Sequence, residues 1–201
     1  MRYLRDVSRD EVASELLAAE YESKRVGGSV RSAMEKLGAE ERIVTRPDLE
    51  NEDECLLRLR VLGEVGRLPA FFALSESEIN WALFEYTSED LVRTYLSEED
   101  EWKRLSLNTR LPMGVAETLR RGEEESSLVP EIESAAEHIR EGKTFRPVVL
   151  LKYARLLCTV DGNLRLSAYA LAPESMAGAA CYVGRCASAE TFAEWLGELP
   201  R

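Results

Sequence analysis

Two apolar runs and the break that follows them constrain this chain more than any other feature. Pro147-Val148-Val149-Leu150-Leu151 is continuously apolar, as a strand buried on both faces requires. Leu156-Leu157-Cys158-Thr159-Val160 follows after Tyr153-Ala154-Arg155, close enough to pair with it as a hairpin. Asp161-Gly162 stops the second run, and Asn163 to Ala172 takes up helical spacing through Leu164, Ala168 and Leu171. Upstream, Glu131 to Glu141 sets Ile132, Ala135, Ala136 and Ile139 on one helical face before Gly142. Downstream, Ala179 to Val183 reads as a last strand. Ser188 to Leu199 reads as a closing helix with Phe192, Trp195 and Leu196 inward.

The first half has a different texture. Arg9 to Lys24 and Ser29 to Leu37 show helical spacing, stopped by Gly27-Gly28 and Gly38. A charged stretch from Pro47 to Glu54 reads as a solvated connection. Leu56 to Val61 alternates apolar residues with Arg58 and Arg60, which predicts a half-buried strand. Leu68 to Leu105 reads as helical again, with Pro69 and the Thr87-Ser88-Glu89-Asp90 segment as start signals. Trp81, Phe84 and Trp102 at helical spacing read as core rather than as a stacking surface for bases. Gly122 to Ser127 is the expected hinge. The predicted organisation is α+β: a mainly helical acidic domain over 1–125 and a small mixed-sheet domain over 126–201.

Charge and cysteine usage narrow the function classes. Residues 126–201 hold 8 Lys/Arg against 9 Asp/Glu, a net of −1, so residues 1–125 carry −10 of the total −11. A duplex-DNA binder needs a basic face to displace counterions, so nucleic acid is not an expected partner. Cys55, Cys158, Cys181 and Cys186 form no C-x-x-C pair, and the single histidine, His138, is remote from them in sequence. No metal-ligand set and no disulfide framework is expected. No apolar stretch approaches the roughly 20 residues of a membrane span, and no apolar segment follows Met1-Arg2-Tyr3-Leu4-Arg5-Asp6. The expectation is a cytoplasmic protein.

The order strand, helix, strand, strand, Gly-Asn-x-Arg turn, helix, strand resembles the ParB/sulfiredoxin superfamily over roughly residues 126–186. Arg146-Pro147-Val148-Val149-Leu150 is similar to the family's "PV" strand, and Asp161 to Ala168 to its G-x-x-R-x-x-A signature. The Asp-Gly form is that of the free-serine-kinase branch. Physics supplies a reason for the motif. Glycine permits a sharp turn, and the helix behind it presents unpaired N–H groups and a positive dipole end to an anion. Arg165 in the first turn offers a forked donor to phosphate, and Asn163 a cap or a further phosphate contact. In the plainer alternative, Asp161-Gly162 is only a turn, Asn163 only a cap and Arg165 only a solvated side chain.

The resemblance implies a nucleotide (ATP or CTP) with Mg²⁺, bound by Gly162, Asn163, Arg165 and Lys152. Lys152 and Arg146 also read as solvated edge residues. Val129-Pro130-Glu131 resembles the element that opens the serine-kinase domain and implies Glu131 as a catalytic base, against a simple helix-start acid. Asp161 is then a candidate for magnesium or for fixing the turn. The implied activity is that of a small-molecule kinase or NTP hydrolase acting on a hydroxyl-bearing substrate. The alternatives are a nucleotide-gated interaction module that docks a protein partner without turnover, and a ParB-like nucleic-acid-processing protein. An oligomer is compatible with each. Sulfiredoxins carry cysteine after the glycine, where this chain has Asn163, so sulfinic-acid reduction is not expected. The serine-kinase branch tends to have histidine there. Only 15 residues follow Cys186, too few for the DNA-binding domain of ParB proteins.

Overall fold

The computed structural model describes residues 1–69, 72, 78–122 and 125–196. It divides into two compact units, Val7–Glu76 and the pair of segments Met1–Asp6 and Ser77–Arg201. The division therefore falls near residue 77 rather than at the Gly122–Ser127 hinge. The reason lies in packing: residues on both sides of that hinge share one core, as described below.

The Val7–Glu76 unit is helical. α1 (Arg9–Glu22) starts at Ser8, whose side chain accepts the Glu11 N–H. α2 (Gly27–Leu37) closes on Gly38 in the left-handed conformation. After the single turn α3 (Arg42–Thr45), Asn51 caps α4 (Glu52–Glu64) by accepting the Glu54 N–H at 3.2 Å. Val12, Leu17, Val30, Val61 and Leu62 are completely buried where these helices meet. The expected strand at Leu56–Val61 is therefore part of a helix. Alternation over five residues fits a strand, but the Asn51 cap and the acids Glu52, Asp53 and Glu54 in the first turn favour helix. Helical geometry also gives Arg58 a use. It is completely buried, with Nη1 3.4 Å from Glu54 Oε2, while Nη2 donates to the Asp48 carbonyl at 3.0 Å and reaches Cys55 Sγ. Arg42 holds the other Glu54 oxygen at 2.5 Å.

The other unit is a six-stranded mixed sheet. Its strands are β1 (Arg2–Asp6), β2 (Ile79–Glu85), β3 (Thr94–Tyr95), β4 (Val148–Tyr153), β5 (Leu156–Asp161) and β6 (Ala180–Cys186), in the order β1-β2-β6-β4-β5-β3. β4 and β5 form the expected hairpin, and β4 runs parallel to β6. The helices are α5 (Ser88–Leu91), α6 (Asp100–Leu105), α7 (Pro112–Arg121), α8 (Leu128–Arg140), α9 (Asn163–Leu171) and α10 (Ala189–Leu196). The α+β class is thus the observed one.

β2 overturns the helical reading of Leu68–Leu105 at its centre. Ile79-Asn80-Trp81-Ala82-Leu83-Phe84 lies between β1 and β6, and it is buried at Ile79 and Trp81 on one face and at Ala82 and Phe84 on the other, so the two-residue alternation is masked. Trp81, Phe84 and Trp102 are buried, in keeping with their reading as core. The Thr87 start signal is real: Thr87 and Asp90 form a capping box for α5. Residues 70, 71 and 73–77 of the stretch read as helical lie outside the described residues. Val148, Leu150, Cys181 and Val183 of the sheet pack with Val115 of α7, Ile132 and Ala136 of α8, and Leu166 and Ala170 of α9. That shared core is why residues 78–122 belong with the C-terminal part. No helix among the described residues is long and apolar enough to cross a membrane.

Asp90 is fully buried in this unit. Its carboxylate accepts from Thr87 N at 3.0 Å and Thr87 Oγ1 at 2.7 Å, meets the Met1 amino group at 2.8 Å, and pairs with Arg93. Burial pushes its pKa up, but these donors together outweigh burial and hold it below the ordinary 3.8. A depressed folded-state pKa adds stability that is complete above the unfolded value. That stability drains away as pH falls through the folded value. Urea denaturation of wild type and Asp90→Asn should therefore show a large gap near neutrality that narrows below about pH 4. A gap that is constant with pH excludes this role for the carboxylate.

Candidate functional site

The hairpin delivers the chain to the turn with a local irregularity. Val149 pairs with Asp161 but Leu150 pairs with Thr159, so one extra residue is accommodated in β5 just before the turn. Such bulges bend a strand and re-aim its end. Gly162 follows at φ 107°, a conformation side-chain-bearing residues rarely adopt. A Cβ there would also lie 2.5 Å from Val148 Cγ1. Space and backbone angle thus both demand glycine. α9 begins directly behind it, and no side chain caps its first turn. The first helical bond runs from Leu166 N to the Gly162 carbonyl at 2.9 Å. The N–H groups of Asn163, Leu164 and Arg165 precede that bond and lack intrahelical acceptors.

The side chains of the motif face inward to a greater degree than the resemblance implies. Arg165 folds back beneath the turn, with its side chain 12% exposed. Its Nη1 donates to the Arg146 carbonyl at 2.8 Å and the Pro147 carbonyl at 2.9 Å, and its Nη2 pairs with Asp161. It therefore clasps the segment leading into β4 to the end of β5. Asn163 accepts from Ser97 N at 3.1 Å and donates to Ser97 Oγ at 2.6 Å, tying the turn to the segment after β3. Ser167 Oγ closes the first turn on the Asn163 carbonyl at 2.9 Å.

Asp161, Gly162, Asn163 and Arg165 are thus gathered in one bonded cluster. Lys152 is not part of it. It sits opposite Leu157 and Arg185, three residues along β4 from the Val149–Asp161 pair, about 10 Å away. Glu131 is half-buried in the first turn of α8. α8 packs against α9, and its Arg140 donates to the Leu171 carbonyl at 3.1 Å, at the far end of α9 from the turn. His138 is exposed on the same helix.

Ser97 is the functional neighbour that sequence reasoning missed. It lies 66 residues from Asn163, inside a stretch read as helical. The Arg146 and Pro147 carbonyls, main-chain acceptors, leave no sequence signal at all.

Burial pushes the Cys158 thiol up to about 12 and the Cys186 thiol up to about 11, so both stay protonated near neutrality. Among the described residues no group of three or more His, Cys, Asp or Glu side chains is gathered for a metal. A magnesium ion carried by a nucleotide needs less than such a cage. It keeps several waters and binds through phosphate oxygens and one or two carboxylates. Asp161, with one oxygen given to Arg165, fits that lesser demand. Comparison with protein-family models, curated proteins and solved structures finds no match for this chain.

Proposed function

We propose that the turn at Gly162 seats a phosphate of a nucleotide, and that this chain is a nucleotide-binding protein. The observation that carries the reading is the uncapped start of α9 behind a glycine that leaves no room for a side chain. Helix N-termini of this kind attract anions through aligned N–H groups and the helix dipole. The donors are then the main-chain amides of Asn163, Leu164 and Arg165. The Arg165 guanidinium acts from behind, holding the turn and adding positive charge beneath the seat. The Asn163 side chain holds the turn to Ser97 rather than reaching for phosphate.

Binding coupled to a partner is favoured over phosphoryl transfer. The candidate base Glu131 stands on another helix and makes no hydrogen bond or ion pair with the turn among the described residues. The carboxylate nearest the seat, Asp161, is shared with Arg165. A nucleotide that engages the amides can alter the Arg165 clasp and the Asn163–Ser97 tie, and so pass its presence into the segments they hold.

A thermal-shift panel of ATP, ADP, CTP and GTP with magnesium tests the reading. Ligand at 100 times its dissociation constant adds about 2.7 kcal/mol, a clear shift. Asn163→Asp discriminates between the anion seat and a plain turn. The acid keeps an acceptor for the Ser97 N–H and suits a helix start, so stability without ligand should hold. A negative charge beside the phosphate should weaken binding by about tenfold or more. Absence of a shift with every nucleotide, or equal binding by Asn163→Asp, overturns the proposal.

A further inference from the structure

Asp53, Leu56, Arg60 and Gly63 recur along α4 at intervals of three and four residues and form one stripe, exposed to solvent. Leu56 is 58% exposed, and with Leu57, Leu59 and Leu68 it lines an open groove of about 620 Å³ on the helical unit. The charges nearby are mostly matched: Lys36 with Glu64, Arg67 with Glu20, and Arg42 with Glu54. Asp53 and Arg60 are different. Neither has an ion pair or hydrogen bond among the described residues, and seven residues of helix, about 10 Å, separate them.

Gly63 adds a second, independent observation. It lies in the last turn of α4 with no positive φ, and a Cβ there would meet only Leu68 Cδ2 at 3.8 Å, an ordinary contact. Glycine weakens a helix, and nothing among the described residues of the unit requires it here. A bare backbone at an exposed position suits close approach from outside.

We propose that this face of α4 is the seam of a homodimer in which two copies of the helix lie antiparallel about a two-fold axis beside Leu56 and Leu57. The charges set the register. That axis brings Asp53 of each copy level with Arg60 of the other, so both unpaired charges are matched, twice over. Leu56 meets Leu57 of the second copy across the axis. Gly63 comes level with the Leu49–Glu50 segment of the second copy, where the exposed Leu49 finds room against bare backbone. An isologous interface has to be self-complementary in this way. A single helix pair is a small interface, and the net charge of −11 per chain opposes association. The dimer is therefore a weak, reversible one.

Sedimentation velocity of the full chain across a concentration series is the test, with circular dichroism confirming that each variant is folded. Wild type should show a monomer–dimer equilibrium. Asp53→Arg and Arg60→Asp should each weaken it by about tenfold or more, because like charges then face each other. The double exchange, Asp53→Arg with Arg60→Asp, should restore it. Gly63→Gln should raise the melting temperature of the monomer while weakening association, opposite signs that a purely structural role does not produce. A wild-type chain that remains monomeric up to about 1 mM overturns the proposal. So does a double exchange no better than the single ones.

Discussion

Gly162→Ala is expected to destabilise the protein by about 3–5 kcal/mol. Two separate costs combine at this one position. A non-glycine residue held at φ 107° costs about 1–3 kcal/mol in backbone strain. The new methyl would sit 2.5 Å from Val148 Cγ1, and overpacking of a rigid core typically costs a further 1–3 kcal/mol or so. Equilibrium urea denaturation measures the sum. Gly38→Ala is the internal control, since that residue also has positive φ, 65°, but open space where the Cβ would go. It should cost only the backbone part, about 1–2 kcal/mol. Val148→Ala removes the nearer clash and leaves the Val148 Cβ, 2.9 Å from the new methyl. Combined with Gly162→Ala it should therefore lose less stability than the two single losses added together. Strict additivity would refute the steric part of the argument.

Arg58→Ala is the second large effect, about 3–5 kcal/mol, and it strikes the helical unit. Arg58 is completely buried, and its guanidinium serves the Glu54 carboxylate and the Asp48 carbonyl. Truncation leaves Glu54, whose side chain is 6% exposed, with Arg42 as its remaining ion-pair partner, and leaves the Asp48 carbonyl without its donor. Most of the loss is the cost of those stranded groups rather than the worth of the pair itself. Arg58→Met with Glu54→Leu should accordingly recover part of it, because neither charge is then left behind, while the Asp48 carbonyl and N–H still lose their partners. Differential scanning calorimetry of the three variants checks this. An Arg58→Ala protein within about 1 kcal/mol of wild type would show that the cluster contributes little.

The elements that could be read from sequence were those whose local signals agreed with their surroundings. The hairpin β4–β5, the break at Gly162 and α9 followed from two apolar runs, one glycine and a helical repeat, all within 26 residues. α4 and β2 were misread for opposite reasons. In α4 the arginines imitated a two-residue alternation that outweighed the start signal at Asn51, and burial of Arg58 against Glu54 shows the helical period at work. In β2 the alternation vanished because neighbours cover both faces, leaving Trp81 and Phe84 at an accidental helical spacing. The site divides along the same line. The glycine turn and the helix start are local, so the motif exposed them, but Asn163, read as a cap, caps nothing. The Asn163–Ser97 bonds join positions 66 residues apart, and the Arg165 clasp ends on main-chain carbonyls. Neither kind of partner leaves a trace in residue type or spacing.

β1 also bears on how the chain reaches its folded state. Arg2 bonds to Glu85 across 83 residues, and the whole helical unit lies between them in sequence. β1 and β2 are antiparallel neighbours, with Asp6 opposite Ala82, so the sheet gives up the chain and takes it back at almost the same place. Closing so long a segment as loose coil costs more entropy than closing a short one. A helical insert that collapses first shortens the effective loop. Pairing of β1 with β2 is then expected to be easier when the insert folds first.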